Sequence, residues 1–160
     1  MHKFDSWLKE VVDLCTPDSV HLCDGSEEEF HALCSLLVAE GIFTPLKREN
    51  SFWARSAPDD VARLESATFI CTSSPDTVGP TNQWEDPKIM RKKLLSLFSC
   101  CMKGRVLYAI PFCLGPLNSP YAKLGVQLTD SAYVVCNMHL MTHMGQKVWE
   151  LLKQKPFIPC

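Results

Sequence analysis

The 160-residue chain has no uninterrupted apolar run near the ~18 residues that a membrane-spanning helix needs. Its start, Met1-His2-Lys3-Phe4-Asp5, leads into an acidic amphipathic stretch, so neither a signal peptide nor a membrane segment is predicted. No Gly-Lys dipeptide occurs, which excludes a G-x-x-x-x-G-K-[ST] phosphate loop. G-x-G-x-x-G and G-x-S-x-G are missing as well. There is no excess of one charge: 16 Lys and Arg stand against 18 Asp and Glu, and only Arg91-Lys92-Lys93 cluster. A nucleic-acid-binding surface needs a concentrated positive excess, so no such partner is expected, and the triplet reads as the solvated face of a helix.

Nine cysteines are present, but their number is odd and no C-x-x-C pair occurs. Several lie inside apolar runs, as Cys113 does after Ile110-Pro111-Phe112 and Cys136 after Val134-Val135. Buried free thiols in a reducing cytoplasm fit that placement better than a disulfide framework. Cys100-Cys101 has no recognisable neighbouring base that would activate it. Composition is that of a folded domain, with 46% hydrophobic and 21% charged residues.

Periodicity supplies the elements. Phe4, Leu8, Val11 and Val12 recur at helical spacing until Pro17. Ser19 to Cys23 reads as a short extended piece before the Asp24-Gly25 turn. Ser26-Glu27-Glu28-Glu29 is a capping box opening a helix that buries Phe30, Leu33, Cys34 and Leu37 and ends at Gly41. Ile42 to Asn50 reads as a connector, Phe52 to Arg55 and Thr68 to Cys71 as strands, and 72–82 as an exposed loop. Asp86 and Pro87 mark the start of a helix with Met90, Leu94, Leu97 and Phe98 on one face. Val106 to Ile110 is a strand covered on both faces, and 123–128 alternates as a half-exposed strand. A helix is expected from Asp130 to Met144, closed by Gly145, and a last short one around Val148, Leu151 and Leu152. Alternating strands and helices predict an α/β domain built on a mixed β-sheet with flanking helices.

Three groups invite a chemical reading. His139 and His143, four apart, would share a helical face, but the Glu of H-E-x-x-H and a third ligand are missing. His21 and Cys23 point the same way along a strand, yet two residues do not make a metal site. Neither pair is assigned a metal. In Pro58-Asp59-Asp60-Val61-Ala62-Arg63-Leu64-Glu65-Ser66, Arg63 offers a planar, permanently charged fork of donors that suits a carboxylate. Pairing of Arg63 with Asp59, Asp60 or Glu65 is the structural alternative.

Several stretches in order are similar to the amino-terminal part of the GTP-dependent phosphoenolpyruvate carboxykinases. They are Cys23-Asp24-Gly25-Ser26-Glu27-Glu28-Glu29, Asp60 to Ser66, Gly79-Pro80-Thr81-Asn82, Cys101-Met102-Lys103-Gly104-Arg105, Tyr108-Ala109-Ile110-Pro111-Phe112 and Leu128 to Val135. The resemblance implies that family's N-terminal fold over residues 1–160 and a monomeric cytoplasmic enzyme of gluconeogenesis. The enzyme is a decarboxylating lyase that converts oxaloacetate and GTP to phosphoenolpyruvate, GDP and carbon dioxide, with Mn2+ and Mg2+ as cofactors. It implies Arg63 as the residue that binds oxaloacetate or phosphoenolpyruvate and Glu65 as a contact to a mobile lid. His139 and His143 stand where the family usually has arginines. Family members are several times longer, so the expectation is a truncated front domain without the nucleotide and metal ligands, inactive alone. A stand-alone binding or regulatory module with the same fold is the alternative, and a thiol or metal protein using Cys100, Cys101 and the histidines is a third reading.

Overall fold

The computed structural model describes residues 2–55, 66, 68–79 and 82–160. The chain runs through α1 (His2–Cys15), β1 (Ser19–Leu22), α2 (Glu27–Ala39), β2 (Phe43–Pro45), β3 (Phe52–Ala54) and β4 (Phe69–Ile70). A 3-10 turn (Pro75–Thr77), β5 (Gln83–Trp84), α3 (Pro87–Phe98), β6 (Val106–Leu114) and β7 (Lys123–Thr129) follow. The chain closes with α4 (Ala132–Met141), β8 (His143–Met144), α5 (Gln146–Leu152) and β9 (Ile158–Pro159).

The apolar run that reads as a covered strand is the centre of the main sheet. β6 pairs parallel with β1, antiparallel with β7 and, farther along, antiparallel with β8, while β9 adds parallel to β7. Successive strand residues face opposite ways, and β6 shows the result. Tyr108 and Ile110 join Leu33, Cys34 and Leu37 of α2 and Val135 and Cys136 of α4 in one core. Ala109 and Cys113 join Phe4 of α1 and Val148 and Leu152 of α5 in another. The expected mixed α/β architecture is therefore a sheet between two helical layers.

Pro111 sits inside this central strand although it has no N–H to donate. The Ala109 carbonyl accepts the Cys23 N–H at 3.0 Å, so residues 109 and 111 turn their backbone polar groups toward β1 and β8. The β1 pairing ends at Leu22↔Ala109 and the β8 pairing begins at Phe112↔Met144. Pro111 occupies the gap between them, where no ladder donor is needed.

Both ends of α2 follow their sequence signals. Ser26 caps the N-terminus, its hydroxyl accepting from the Glu29 N–H at 3.1 Å. At the other end Gly41 has φ +73, and the Gly41 and Ile42 N–H groups donate to the Val38 and Leu37 carbonyls, a left-handed helix stop. The Asp86 cap and Pro87 start of α3 also form as predicted.

Two expectations, the connector at 42–50 and the helix to Met144, are corrected, and two further features go beyond the sequence reading. The apolar stripe of α3 is not core: no residue of this helix is buried, and Leu97 is 63% exposed. The connector at 42–50 contains β2, which pairs antiparallel with β3. Gln83–Trp84 forms β5, which pairs parallel with β4. Finally, α4 stops at Met141 because Thr142 is extended (φ −134, ψ 169), and His143–Met144 joins the sheet as β8. Gly145 therefore begins α5 and does not close α4.

Candidate functional site

Arg63 and Glu65, with Asp59 and Asp60, lie outside the described residues. The described chain approaches them along β3 and resumes at the exposed Ser66 and at β4. The β4–β5 pair is secured by the Trp84 Nε1–H, which donates to the Thr72 carbonyl at 3.0 Å.

A dense polar constellation lies at the turn from β1 into α2. Glu29, in the first turn of α2, reaches back under the loop. Its Oε1 accepts the Asp24 N–H at 3.1 Å and lies 2.6 Å from His21 Nε2, and its Oε2 accepts the Gly25 N–H at 2.9 Å. Asp24 Oδ1 accepts the Ser26 N–H at 2.7 Å, and the Ser26 side chain and backbone together hold the Asp24 carboxyl below the usual carboxylate value. Across the turn, the Trp149 Nε1–H of α5 donates to the Cys23 carbonyl at 2.9 Å. The Cys23 side chain is fully buried, and burial first, then the Glu29 and Asp24 carboxylates, push its thiol far above the ordinary range. His21 sits edge-on to the Tyr108 ring at 5.6 Å. One donor atom each from His21, Cys23 and Glu29 lie within 4.8 Å of one another, and these three are the only such group among the described residues. Glu29 is the member that sequence reasoning missed as a site residue. It appeared only as a capping-box acid, although the same side chain meets the His21 that shares a strand face with Cys23.

His139 and His143 do not come together as one helical face, because the helix ends between them. His139 stacks on Phe30 at 4.7 Å and stands 3.6 Å from a Glu27 carboxylate oxygen. His139 and Glu27 border a cavity of about 550 Å³ between α2, α4 and the β2–β3 hairpin, whose walls include Phe43, Phe52 and Tyr133. Phe43 and Phe52 stack at 5.1 Å, and Tyr133 meets Phe43 edge-on at 5.7 Å.

All nine cysteines are free. Cys34 and Cys136 face each other across α2 and α4 with sulfurs 3.9 Å apart, both buried. Burial pushes the Cys136 thiol up to about 12 and raises that of Cys34, so both stay protonated and unreactive at neutral pH. Cys100 and Cys101 are exposed, and Cys100 adopts a left-handed backbone (φ +57).

Comparison with known proteins places these features in context. The family model described as the phosphoenolpyruvate carboxykinase N-terminal domain matches residues 6–160. A phosphoenolpyruvate carboxykinase [GTP] of Chlamydia trachomatis is 53% identical over 150 residues, covering 92% of this chain and 25% of the relative. The enzyme of the same description from Treponema pallidum (strain Nichols) is 50% identical over 157 residues, covering 97% of this chain and 25% of the relative. The chain spans about a quarter of the length of the curated relatives it matches.

Proposed function

The chain belongs to the phosphoenolpyruvate carboxykinase N-terminal domain family, and from that premise we propose that it is the substrate-gripping front part of a GTP-dependent carboxykinase. The observation that carries this reading is identity near one half, across almost the whole chain, to relatives named for that activity. The reaction is oxaloacetate plus GTP to phosphoenolpyruvate, GDP and carbon dioxide. Decarboxylation leaves an enolate whose oxygen takes the γ-phosphoryl group.

In this reading Arg63 holds a substrate carboxylate through two parallel N–H···O bonds. That fixes the plane of the substrate before carbon dioxide leaves and keeps the enolate oxygen aimed at the phosphoryl donor. Glu65 steadies the closing lid. The enzyme acts in the cytoplasm as a monomer, in gluconeogenesis. Mn2+ and Mg2+ neutralise developing phosphate charge when bound. Among the described residues the one group of metal-ligating side chains, His21, Cys23 and Glu29, contains a thiol and an imidazole. Mg2+ and Mn2+ both favour oxygen donors over a thiolate, so that group does not fit the catalytic ions. Their ligands, and those of GTP, are assigned outside this chain, which is not expected to turn over oxaloacetate alone.

The test is a chimera in which this chain replaces the matching quarter of the Chlamydia trachomatis carboxykinase. Arg63→Ala is expected to raise KM for oxaloacetate roughly 10- to 100-fold, the loss of one charged hydrogen-bonding contact, with KM for GTP nearly unchanged. An oxaloacetate KM that does not move refutes the role of Arg63.

A further inference from the structure

We propose that His21, Cys23 and Glu29 form a binding site for a zinc-class divalent cation at the turn between β1 and α2. The three donors converge in space, with one atom of each within 4.8 Å of the others. They come from two elements whose relative position is fixed by the fold. Cys23 is tied to β6 through its N–H to the Ala109 carbonyl and to α5 through its carbonyl, which accepts from Trp149. Glu29 is held by the Asp24 and Gly25 N–H groups.

Those two backbone donors do for the carboxylate what outer-sphere hydrogen bonds do in metal sites: they fix its orientation and leave its remaining lone pairs available. The imidazole presents Nε2 to the same carboxylate oxygen at 2.6 Å. Bonds of about 2.0 Å to nitrogen and oxygen and 2.3 Å to sulfur set tetrahedral neighbours roughly 3.3 to 3.5 Å apart. Donors within 4.8 Å of one another reach that spacing by closing in by about 1 Å. The His21 side chain, 47% exposed, has the most room to turn, whereas that of Glu29 is 8% exposed. The exposed imidazole edge also marks the entry path.

The donor chemistry selects the ion. A thiolate with an imidazole and one carboxylate suits Zn2+ or Co2+ and disfavours Mg2+ and Ca2+, which take oxygen. On binding, the Cys23 S–H bond breaks and its proton leaves to solvent. The His21 ring proton is carried on Nδ1 while Nε2 ligates. A dication, one thiolate and one carboxylate sum to zero, so the ion also neutralises the nearly buried Glu29 charge.

The experiment titrates the purified, reduced 160-residue chain with cobalt chloride, followed by zinc chloride. Expected are one equivalent of bound Co2+ with a sulfur-to-cobalt charge-transfer band that Zn2+ displaces, and retention of both in Cys100→Ser/Cys101→Ser. Cys23→Ser should abolish the band. His21→Ala, at an exposed position that leaves folding intact by far-UV circular dichroism, should weaken Co2+ binding on the order of 100-fold. A chain without the band, a band that persists in Cys23→Ser, a band lost in Cys100→Ser/Cys101→Ser, or unchanged affinity in His21→Ala overturns the proposal. None of these readings depends on carboxykinase activity or on Arg63.

Discussion

Replacing Gly145 by alanine tests the contact that joins the turn after β1 to the start of α5. Gly145 has φ +102 and ψ −161, a backbone region essentially reserved for glycine. A Cβ there would stand 2.4 Å from the Asp24 carbonyl oxygen and 3.6 Å from Gly25 Cα. The obstruction is backbone, so no side-chain rotation relieves it. The conformational cost is about 1 to 3 kcal/mol, and forcing the extra carbon against a packed neighbour adds about 1 to 3 kcal/mol. The sum, about 2 to 6 kcal/mol, is a large share of the ~5 to 15 kcal/mol that holds a domain together. Urea unfolding followed by tryptophan fluorescence should show the midpoint lowered by about 1 M or more at unchanged slope. Gly41→Ala is the control, because Gly41 also has positive φ (+73) but its Cβ would meet nothing within 4 Å. It should cost only the left-handed backbone term of about 1 to 2 kcal/mol. Equal losses in the two variants, or a Gly145→Ala loss under about 0.5 kcal/mol, would refute the close-contact argument.

Thiol accessibility divides the cysteines: Cys71, Cys100, Cys101 and Cys160 are exposed, and Cys15, Cys23, Cys34, Cys113 and Cys136 are buried. A chromogenic disulfide reagent should therefore modify four thiols in the native chain and the other five only on unfolding, and fast reaction of a fifth would contradict the core packing. Stability should also fall at alkaline pH. Burial raises the Cys136 thiol to about 12 and Cys15 to about 11 from an ordinary 9.0. Above pH 9 the unfolded chain releases those protons while the folded chain keeps them, so stability present below pH 9 is lost between there and the folded values. Urea midpoints that stay flat from pH 8 to pH 10.5 would contradict it.

The sequence was legible where a single residue carries a local mechanical job. Ser26 and Gly41 bounded α2, and Asp86 with Pro87 opened α3, because capping geometry depends on near neighbours alone. Burial was not legible in α3: Leu94, Leu97 and Phe98 have the right spacing for an apolar face, but spacing does not say whether another element covers it. Strands β2, β5 and β8 are two or three residues long and exist through partners elsewhere in the chain, so no period-2 signal could announce them. The β8 pairing is also what ends α4 and separates His139 from His143. At the β1–α2 turn, the strand parity of His21 and Cys23 was readable, whereas the approach of Glu29 needed the helix axis to be placed against the strand. Arg63 drew its role from resemblance to a family, with guanidinium chemistry as support.

The pairing of β1 with β6 also has a consequence for how the chain is made. Among the described residues β6 is the only sheet neighbour of β1, and the partners Ser19 and Val106 are more than eighty residues apart. At a synthesis rate of 5 to 20 residues per second, on the order of ten seconds separate the emergence of the two strands. During that interval α2 has no Tyr108 and Ile110 to cover Leu33, Cys34 and Leu37. The order of translation thus leaves this apolar face of α2 waiting for the strand that completes it.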